Sequence, residues 1–207
     1  MKNDKYQVVL IRHGFSLANQ LKSLSGQSDV PLLEKGRKEL VEFRKKYNYI
    51  DTDIYYSSDL MRCTSTFNAL FGPEKKLNGT FKELREIHFY KKENQFFEDR
   101  VQLSKMFDLW LENDPSTRDI ESFDSIKDRM TKMFYKTLDD LKTNNKKSAT
   151  IVTHSCAMKC LLIGIGAFKK SQFREIVTNN GQGFVLNVDF DDDLKINECV
   201  NLFDYLK

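Results

Sequence analysis

Apolar positions recur along this chain with two periods, and the changes between them lay out its elements. Val8-Val9-Leu10-Ile11 is a short unbroken run rich in β-branched residues, which predicts a strand covered on both faces. It stops at Arg12-His13-Gly14, where glycine permits a sharp turn. Residues 15–21 suffice for one or two helical turns, and the polar stretch 23–29 predicts a loop ahead of Pro31. Over residues 34–47, Leu40, Val41, Phe43 and Tyr47 share one helical face with Lys and Arg outside it. Residues 53–57 read as a second strand. Ser58 or Asp59 is placed to cap a helix whose buried face is Leu60, Cys63, Thr64, Phe67, Leu70 and Phe71, stopped by Gly72-Pro73. The segment 81–90 is expected to begin as a strand, and a charged connection, 91–100, follows it. Helices are expected over 101–111 (Leu103, Met106, Phe107, Trp110) and 122–141 (Phe123, Ile126, Met130, Met133, Phe134, Leu138, Leu141). After a polar break, residues 149–153 repeat the pattern of the first strand and end in His154. A helix over 155–163, a turn over 179–183 and closing strands over 184–188 and 196–202 complete the reading.

Strands alternating with helices predict an α/β fold: a single three-layer α/β/α domain over residues 1–207, with a mostly parallel central sheet and helices on both faces. A chain of 207 residues that is 40% hydrophobic has enough apolar material for one such core. The net charge of +3 is spread evenly, so no nucleic-acid partner is implied. No apolar run approaches the roughly 18 residues of a membrane span, and the run 8–11 is too short for a signal-peptide core. A cytoplasmic protein without a membrane partner is expected. Cys63, Cys156, Cys160 and Cys199 form no CxxC pair and have no close histidine beyond His154, so they read as small apolar side chains rather than disulfides or zinc ligands. The Met and Phe stripes of the long helices read as core, and no cofactor is expected.

The chemistry gathers at strand ends. Arg12-His13, the stretch from Ser57 to Arg62, and His154 each follow a predicted parallel strand, and parallel strands place their C-terminal ends on one edge. A guanidinium beside an imidazole suits a phosphate group: the arginine fork grips two oxygens while a neutral imidazole nitrogen attacks phosphorus. Phosphate-monoester hydrolysis needs a constellation rather than one side chain, because its accelerations reach about 10²¹. One histidine becomes phosphohistidine, two arginines and a second histidine neutralise the equatorial oxygens, and an acid protonates the departing alkoxide. Glu86 can be that acid. The arginine cluster does the electrostatic work of a cation, so no metal is needed.

The blocks Leu10-Ile11-Arg12-His13-Gly14, Ser57-Ser58-Asp59-Leu60-Met61-Arg62, Leu84-Arg85-Glu86-Ile87 and Val152-Thr153-His154 together resemble the motifs of the histidine phosphatase superfamily, in its phosphoglycerate-mutase-like branch. Asn19, Ser25-Gly26, Asp29-Val30-Pro31-Leu32 with Glu34-Lys35-Gly36, and Glu121-Ser122-Phe123 with Arg129 extend the likeness over about residues 6–190. The resemblance implies His13 as the phosphorylated nucleophile, Arg12, Arg62 and His154 as the phosphate pocket, Glu86 as proton donor, and Ser16, Asn19, Ser25 and Gly26 as substrate contacts. The chain departs from the family pattern in four places: Phe15 replaces an acid, Leu33 a capping Thr or Ser, Tyr90 a Gly, and Ser155 the Gly after the second His. The expected activity is that of a phosphomonoesterase acting on a small phosphate ester, since the resembling glycolytic mutases carry longer inserts. A mutase and a silent phosphate-binding module are the alternatives. Phe15, Phe89, Tyr90, Phe96 and Phe97 are expected near a partly apolar pocket, with Lys91 and Lys92 as solvated lysines or as receivers of an anionic substrate.

Overall fold

The computed structural model describes residues 4–47, 49–96, 99–191 and 193–207. Strands β1 (Lys5–Arg12), β2 (Ile54–Ser58), β3 (Gly79–Phe81), β4 (Ser148–Thr153), β5 (Gly183–Phe190) and β6 (Leu194–Asn201) form one sheet in the order β3-β2-β4-β1-β5-β6. β3, β2, β4 and β1 run parallel, and β5 and β6 close the sheet antiparallel. The helices are α1 (Leu17–Leu21), α2 (Glu34–Lys46), α3 (Met61–Phe71), α4 (Arg100–Leu111), α5 (Phe123–Thr143), α6 (Ser155–Gly164) and α7 (Leu202–Tyr205).

The two-residue period of the strands divides the core. Val8 and Leu10, Ile54 and Tyr56, and Ala149 and Ile151 face a layer built on α4, α5 and α6, with Trp110, Phe134, Leu138 and Met158. Val9, Ile11, Tyr55 and Val152 face the opposite layer, where Leu40 of α2 meets Cys63, Phe67 and Leu70 of α3. This is the expected α/β/α arrangement. β1 and β4 lie in the middle, buried on both faces, which is why β1 carries the unbroken apolar run 8–11 and β4 holds only small or β-branched residues over 149–153. Each fully buried Val, Ile or Leu is worth about 1.5–3 kcal/mol, so these central strands are the firmest support available to whatever hangs from their ends.

Register sets that edge. Arg12 lies opposite Thr153, and Val152 lies opposite both Ile11 and Ser57, so three strands finish level. The His13 amide donates to the Thr153 carbonyl at 2.9 Å, extending the ladder one rung beyond the strands. β5 enters the same edge at Gly183, where a Cβ would lie 1.8 Å from the Leu10 carbonyl oxygen, so only glycine lets the two backbones approach. None of the described helices is long and apolar enough to cross a membrane.

Four expectations are corrected. The strand expected to begin at residue 81 ends there: Gly79-Thr80-Phe81 pair with β2, and a 3₁₀ turn follows at Lys82–Leu84. Neither Ser58 nor Asp59 caps α3, whose N-cap is Leu60; the Ser58 hydroxyl turns to His154 and Asp59 forms a two-bond ion pair with Arg85. The last strand ends at Asn201, whose side chain caps α7 through the Phe203 amide. The stripe on α4 is only partly core, because Trp110 is buried while Leu103 and Phe107 line a cavity.

Candidate active site

His13 follows β1 and is 5% exposed. Its Nδ1 lies 2.8 Å from the Gly14 carbonyl, an oxygen that only accepts, so Nδ1 carries the hydrogen and Nε2 presents a lone pair. The Gly14 amide is held in turn by the Thr66 hydroxyl at 2.8 Å, and the His13 carbonyl by Asn180 Nδ2 at 2.8 Å. Burial, and then the charges of Arg62 and Arg12, push the His13 imidazole well below its ordinary value of 6.5, keeping it neutral.

His154 stands at the N-cap of α6, its ring 5.1 Å from that of His13. Its tautomer is the opposite one. Arg62 Nε donates to His154 Nδ1 at 3.2 Å, so Nε2 carries the hydrogen and donates to Ser58 Oγ at 3.0 Å. Cys63 Sγ also lies 3.4 Å from Nε2. Burial and the Arg62 charge hold this imidazole well below 6.5 as well. The unfolded chain therefore binds two protons that the folded one refuses. The stability these two groups contribute is full well above pH 6.5 and is lost progressively as the pH drops through and below it, a positive slope of stability against pH. Thermal unfolding between pH 6.5 and 5 should show this slope, and His13→Asn should halve it; an unchanged slope in that variant would refute the assignment.

Arg62 is completely buried. Its Nη1 and Nη2 donate to the carbonyls of Ser28 and Gly26 at 2.8 and 2.7 Å. With Nε on His154, three of the five N–H donors are committed and two remain for an anion. Arg12 donates from Nη1 to the Thr178 carbonyl at 2.7 Å, while its buried Nε has no partner among the described residues. A buried guanidinium N–H without an acceptor is costly, and a phosphate oxygen would satisfy it.

Glu86 lies on the connection after the 3₁₀ turn. Its Oε1 accepts from the Ile87 and Ala157 amides at 3.0 and 2.9 Å and its Oε2 from the Cys156 amide at 3.1 Å, which sets the carboxyl on the N-terminus of α6. Arg129, on α5, fixes this connection by donating to the carbonyls of Glu83, Arg85 and Glu86 while pairing with Glu121 at 2.8 Å. Glu121 and Arg129 hold each other largely away from water, and their pairing contributes to holding the Glu121 carboxyl below its ordinary value against the upward push of burial.

The structure thus brings Arg12, His13, Arg62, Glu86 and His154 to one sheet edge. The residues expected as substrate contacts lie on α1, at its N-cap and on the loop after it, beside this edge. Ser16 is fully buried, and its amide and hydroxyl both meet Asn19 Oδ1 at 3.0 Å. Asn19 is half-buried and also receives Asn180. Gly26, at φ +47°, gives its carbonyl to Arg62. Ser25 closes a turn with the Ser28 amide, and its hydroxyl bonds no described residue. Of the aromatics, Phe89 is in the core, Tyr90 stacks on His88, Phe15 lies under Lys35, and Phe97 is outside the described residues. Only Phe96 lines the cavity of about 850 Å³ that Asn19, Leu24, Leu103 and Phe107 also line. Lys92 is paired with Asp119. Tyr90, in the family's glycine position, keeps a positive φ of 48°. Sequence reasoning missed Thr178 and Asn180, which hold Arg12 and His13; the only available sign was a polar turn preceding an apolar strand.

The site is thus a parallel sheet edge of an α/β fold that gathers two buried histidines, the buried Arg62 and the half-buried Arg12. The histidine phosphatase superfamily (branch 1) model matches residues 8–200, and the chain belongs to that superfamily. Among curated proteins, it is 40% identical over 65 residues to 2,3-bisphosphoglycerate-dependent phosphoglycerate mutase 1 of Arabidopsis thaliana, which is 31% of this chain and 20% of that protein. It is 25% identical over 179 residues to a probable 2-carboxy-D-arabinitol-1-phosphatase of the same plant, 84% of this chain and 36% of that protein. The chain thus spans 20–36% of the length of the curated relatives it matches. Its fold is that of phosphoserine phosphatase from Entamoeba histolytica, with a TM-score of 0.72, 20% identity, and 94% of this chain and 96% of that one covered. It is likewise that of phosphoglycerate mutase from Bacillus anthracis, with a TM-score of 0.74, 19% identity, and 96% and 93% covered.

Proposed function

We propose that this chain is a phosphomonoesterase that hydrolyses a small phosphorylated metabolite through a phosphohistidine on His13, with arginines rather than a metal ion supplying the positive charge. The observation that carries the reading is the setting of His13: Nδ1 on its own neighbour's carbonyl, Nε2 without a hydrogen-bond partner among the described residues, and a buried ring that burial first, and the charges of Arg62 and Arg12 next, bias toward the neutral form. Nε2 forms a bond to phosphorus as the bond from phosphorus to the alcohol oxygen breaks. Arg12, Arg62 and His154 face the equatorial oxygens, where preorganised donors count most. Glu86 gives its proton to the departing oxygen, then takes one from the water whose oxygen bonds to phosphorus as the Nε2–phosphorus bond breaks, which releases inorganic phosphate and returns His13 to its neutral form. Glu86 Oε2 has a single amide partner, against two for Oε1, and so the freer geometry for that exchange.

Two kinds of relative support small phosphorylated acids as substrates: the curated phosphatase of a sugar acid, and the solved phosphoserine phosphatase, which has also been crystallised with 3-phosphoglyceric acid. The curated mutases favour a second reading, in which the phosphoryl group moves between positions of the substrate. Measured release of inorganic phosphate separates the two. Stoichiometric release from phosphoserine, phosphoglycerates or sugar phosphates supports hydrolysis; transfer without release supports a mutase.

Glu86→Gln tests the acid. An alkyl leaving group needs a proton and nitrophenolate does not, so kcat for alkyl phosphates should fall about 10²- to 10⁴-fold while nitrophenyl phosphate loses much less. Equal losses on both would reject the assignment.

A further inference from the structure

Arg62 does not hold itself in place. Both its terminal nitrogens rest on carbonyls of one short loop, Gly26 and Ser28. Gln27 Nε2 ties that loop to the Glu86 carbonyl at 3.2 Å, and its one carboxylate support among the described residues is Glu93, on the charged connection after Glu86. Glu93 Oε1 accepts from the Gln27 amide at 2.8 Å and Oε2 accepts from the Ser28 hydroxyl at 2.7 Å, so one carboxylate grips the residue between the two carbonyls and one of the carbonyl bearers itself. Oε1 is also 2.7 Å from His88 Nδ1. The neighbours of Glu93 continue the attachment. The Asn94 amide donates to the Leu24 carbonyl at 2.7 Å, Asn94 Nδ2 donates to Ser28 Oγ at 3.0 Å, and the Leu24 amide donates to the Gln95 carbonyl at 3.1 Å. Gly26 is shaped to this partner, since a Cβ there would lie 2.6 Å from Glu93 Oε1.

The Glu93 side chain is 13% exposed, too sheltered for a solvated surface acid, and its partners are the donors of the loop that seats Arg62. We propose that Glu93 is a positioning residue for the phosphate site: by fixing the Gly26–Ser28 turn it aims the two uncommitted N–H groups of Arg62 at the phosphoryl oxygens. It touches no substrate and acts only through Arg62. This rests on the phosphate-site reading above, and its test is a double-mutant cycle read in binding as well as turnover.

The dissociation constant for inorganic phosphate and, where there is turnover, kcat/KM are measured for wild type, Glu93→Ala, Arg62→Ala and the double variant, with circular dichroism confirming that each is folded. Misplacing a charge-bearing group by an ångström costs about 10²-fold. Glu93→Ala should therefore weaken phosphate binding and kcat/KM about tenfold to a hundredfold in the wild-type background, and less than about twofold in the Arg62→Ala background. Glu93→Gln, which keeps an acceptor for the Gln27 amide and replaces the acceptor of the Ser28 hydroxyl with an amide N–H that can donate to Ser28 Oγ, should recover most of the loss and covers the case in which the alanine variant is unfolded. Equal losses in both backgrounds, or a folded Glu93→Ala within twofold of wild type, would overturn the proposal. Phosphate binding without turnover would sink the catalytic reading alone and leave the cycle readable in the dissociation constants. No phosphate binding by the wild type would remove both.

Discussion

Replacing His13 with alanine is expected to lower kcat by at least about 10⁵-fold, because a covalent route loses its nucleophile and only binding and charge stabilisation remain. The cause is specific to one nitrogen. Nδ1 is spent on the Gly14 carbonyl, and no other described imidazole at this edge offers a bare Nε2, since that of His154 is occupied by Ser58. His13→Asn is the cleaner variant, because its amide can still donate to Gly14 and so preserve the turn. The intermediate gives a second readout. Wild type mixed with a labelled phosphate ester and quenched in alkali within milliseconds should carry base-stable label on His13, and both variants should carry none. Label that persists in His13→Asn would move the nucleophile elsewhere. A wild type that binds phosphate esters without labelling or turnover would make this a binding module.

The parts of the site that were legible in the sequence are those fixed by strand ends. A buried parallel strand is rich in apolar and β-branched residues, so its end can be read directly, and that placed Arg12, His13 and His154 at one edge while their roles needed the other motifs beside them. Glu86 and Arg62 were reachable by motif. What could not be read is how these groups are held, because each support crosses the chain: Thr178 and Asn180 reach Arg12 and His13 only through the pairing of β5 with β1, and Glu93 reaches Gly26 and Ser28 only through the fold of two loops. The cap of α3 failed for a related reason. Ser58 and Asp59 have the local chemistry of N-caps, but His154 and Arg85, distant in sequence, compete for them and win. Ser16, expected from the family likeness as a substrate contact, stands at the N-cap of α1 with its hydroxyl on Asn19, a pairing that its sequence neighbours alone do not announce.

Arg62 carries the second large expected effect, and here catalysis and stability can be separated. Arg62→Ala strips donors from the Gly26 and Ser28 carbonyls and from His154 Nδ1, all of them sheltered, and opens a cavity where a fully buried guanidinium stood. Removing one member of such a buried polar network typically costs about 3–5 kcal/mol. Arg62→Met refills most of the volume, so its midpoint of thermal unfolding should lie above that of the alanine variant, yet it restores no donor. Both should lose about 10³-fold in kcat/KM, in line with loss of a preorganised oxyanion contact. Arg62→Lys restores the charge but not the fork: one ammonium cannot serve two carbonyls, an imidazole and a phosphate at once, so it should remain at least about tenfold impaired. Inorganic phosphate supplies the control that does not depend on turnover. At a hundred times its dissociation constant it should stabilise the wild type by about 2.7 kcal/mol, and at that same concentration the methionine variant should gain almost nothing. Should Arg62→Met fold, gain as much from phosphate as wild type and keep its activity within tenfold, the two spare N–H groups would not be facing the phosphoryl group, and the site would have to be built around Arg12 alone.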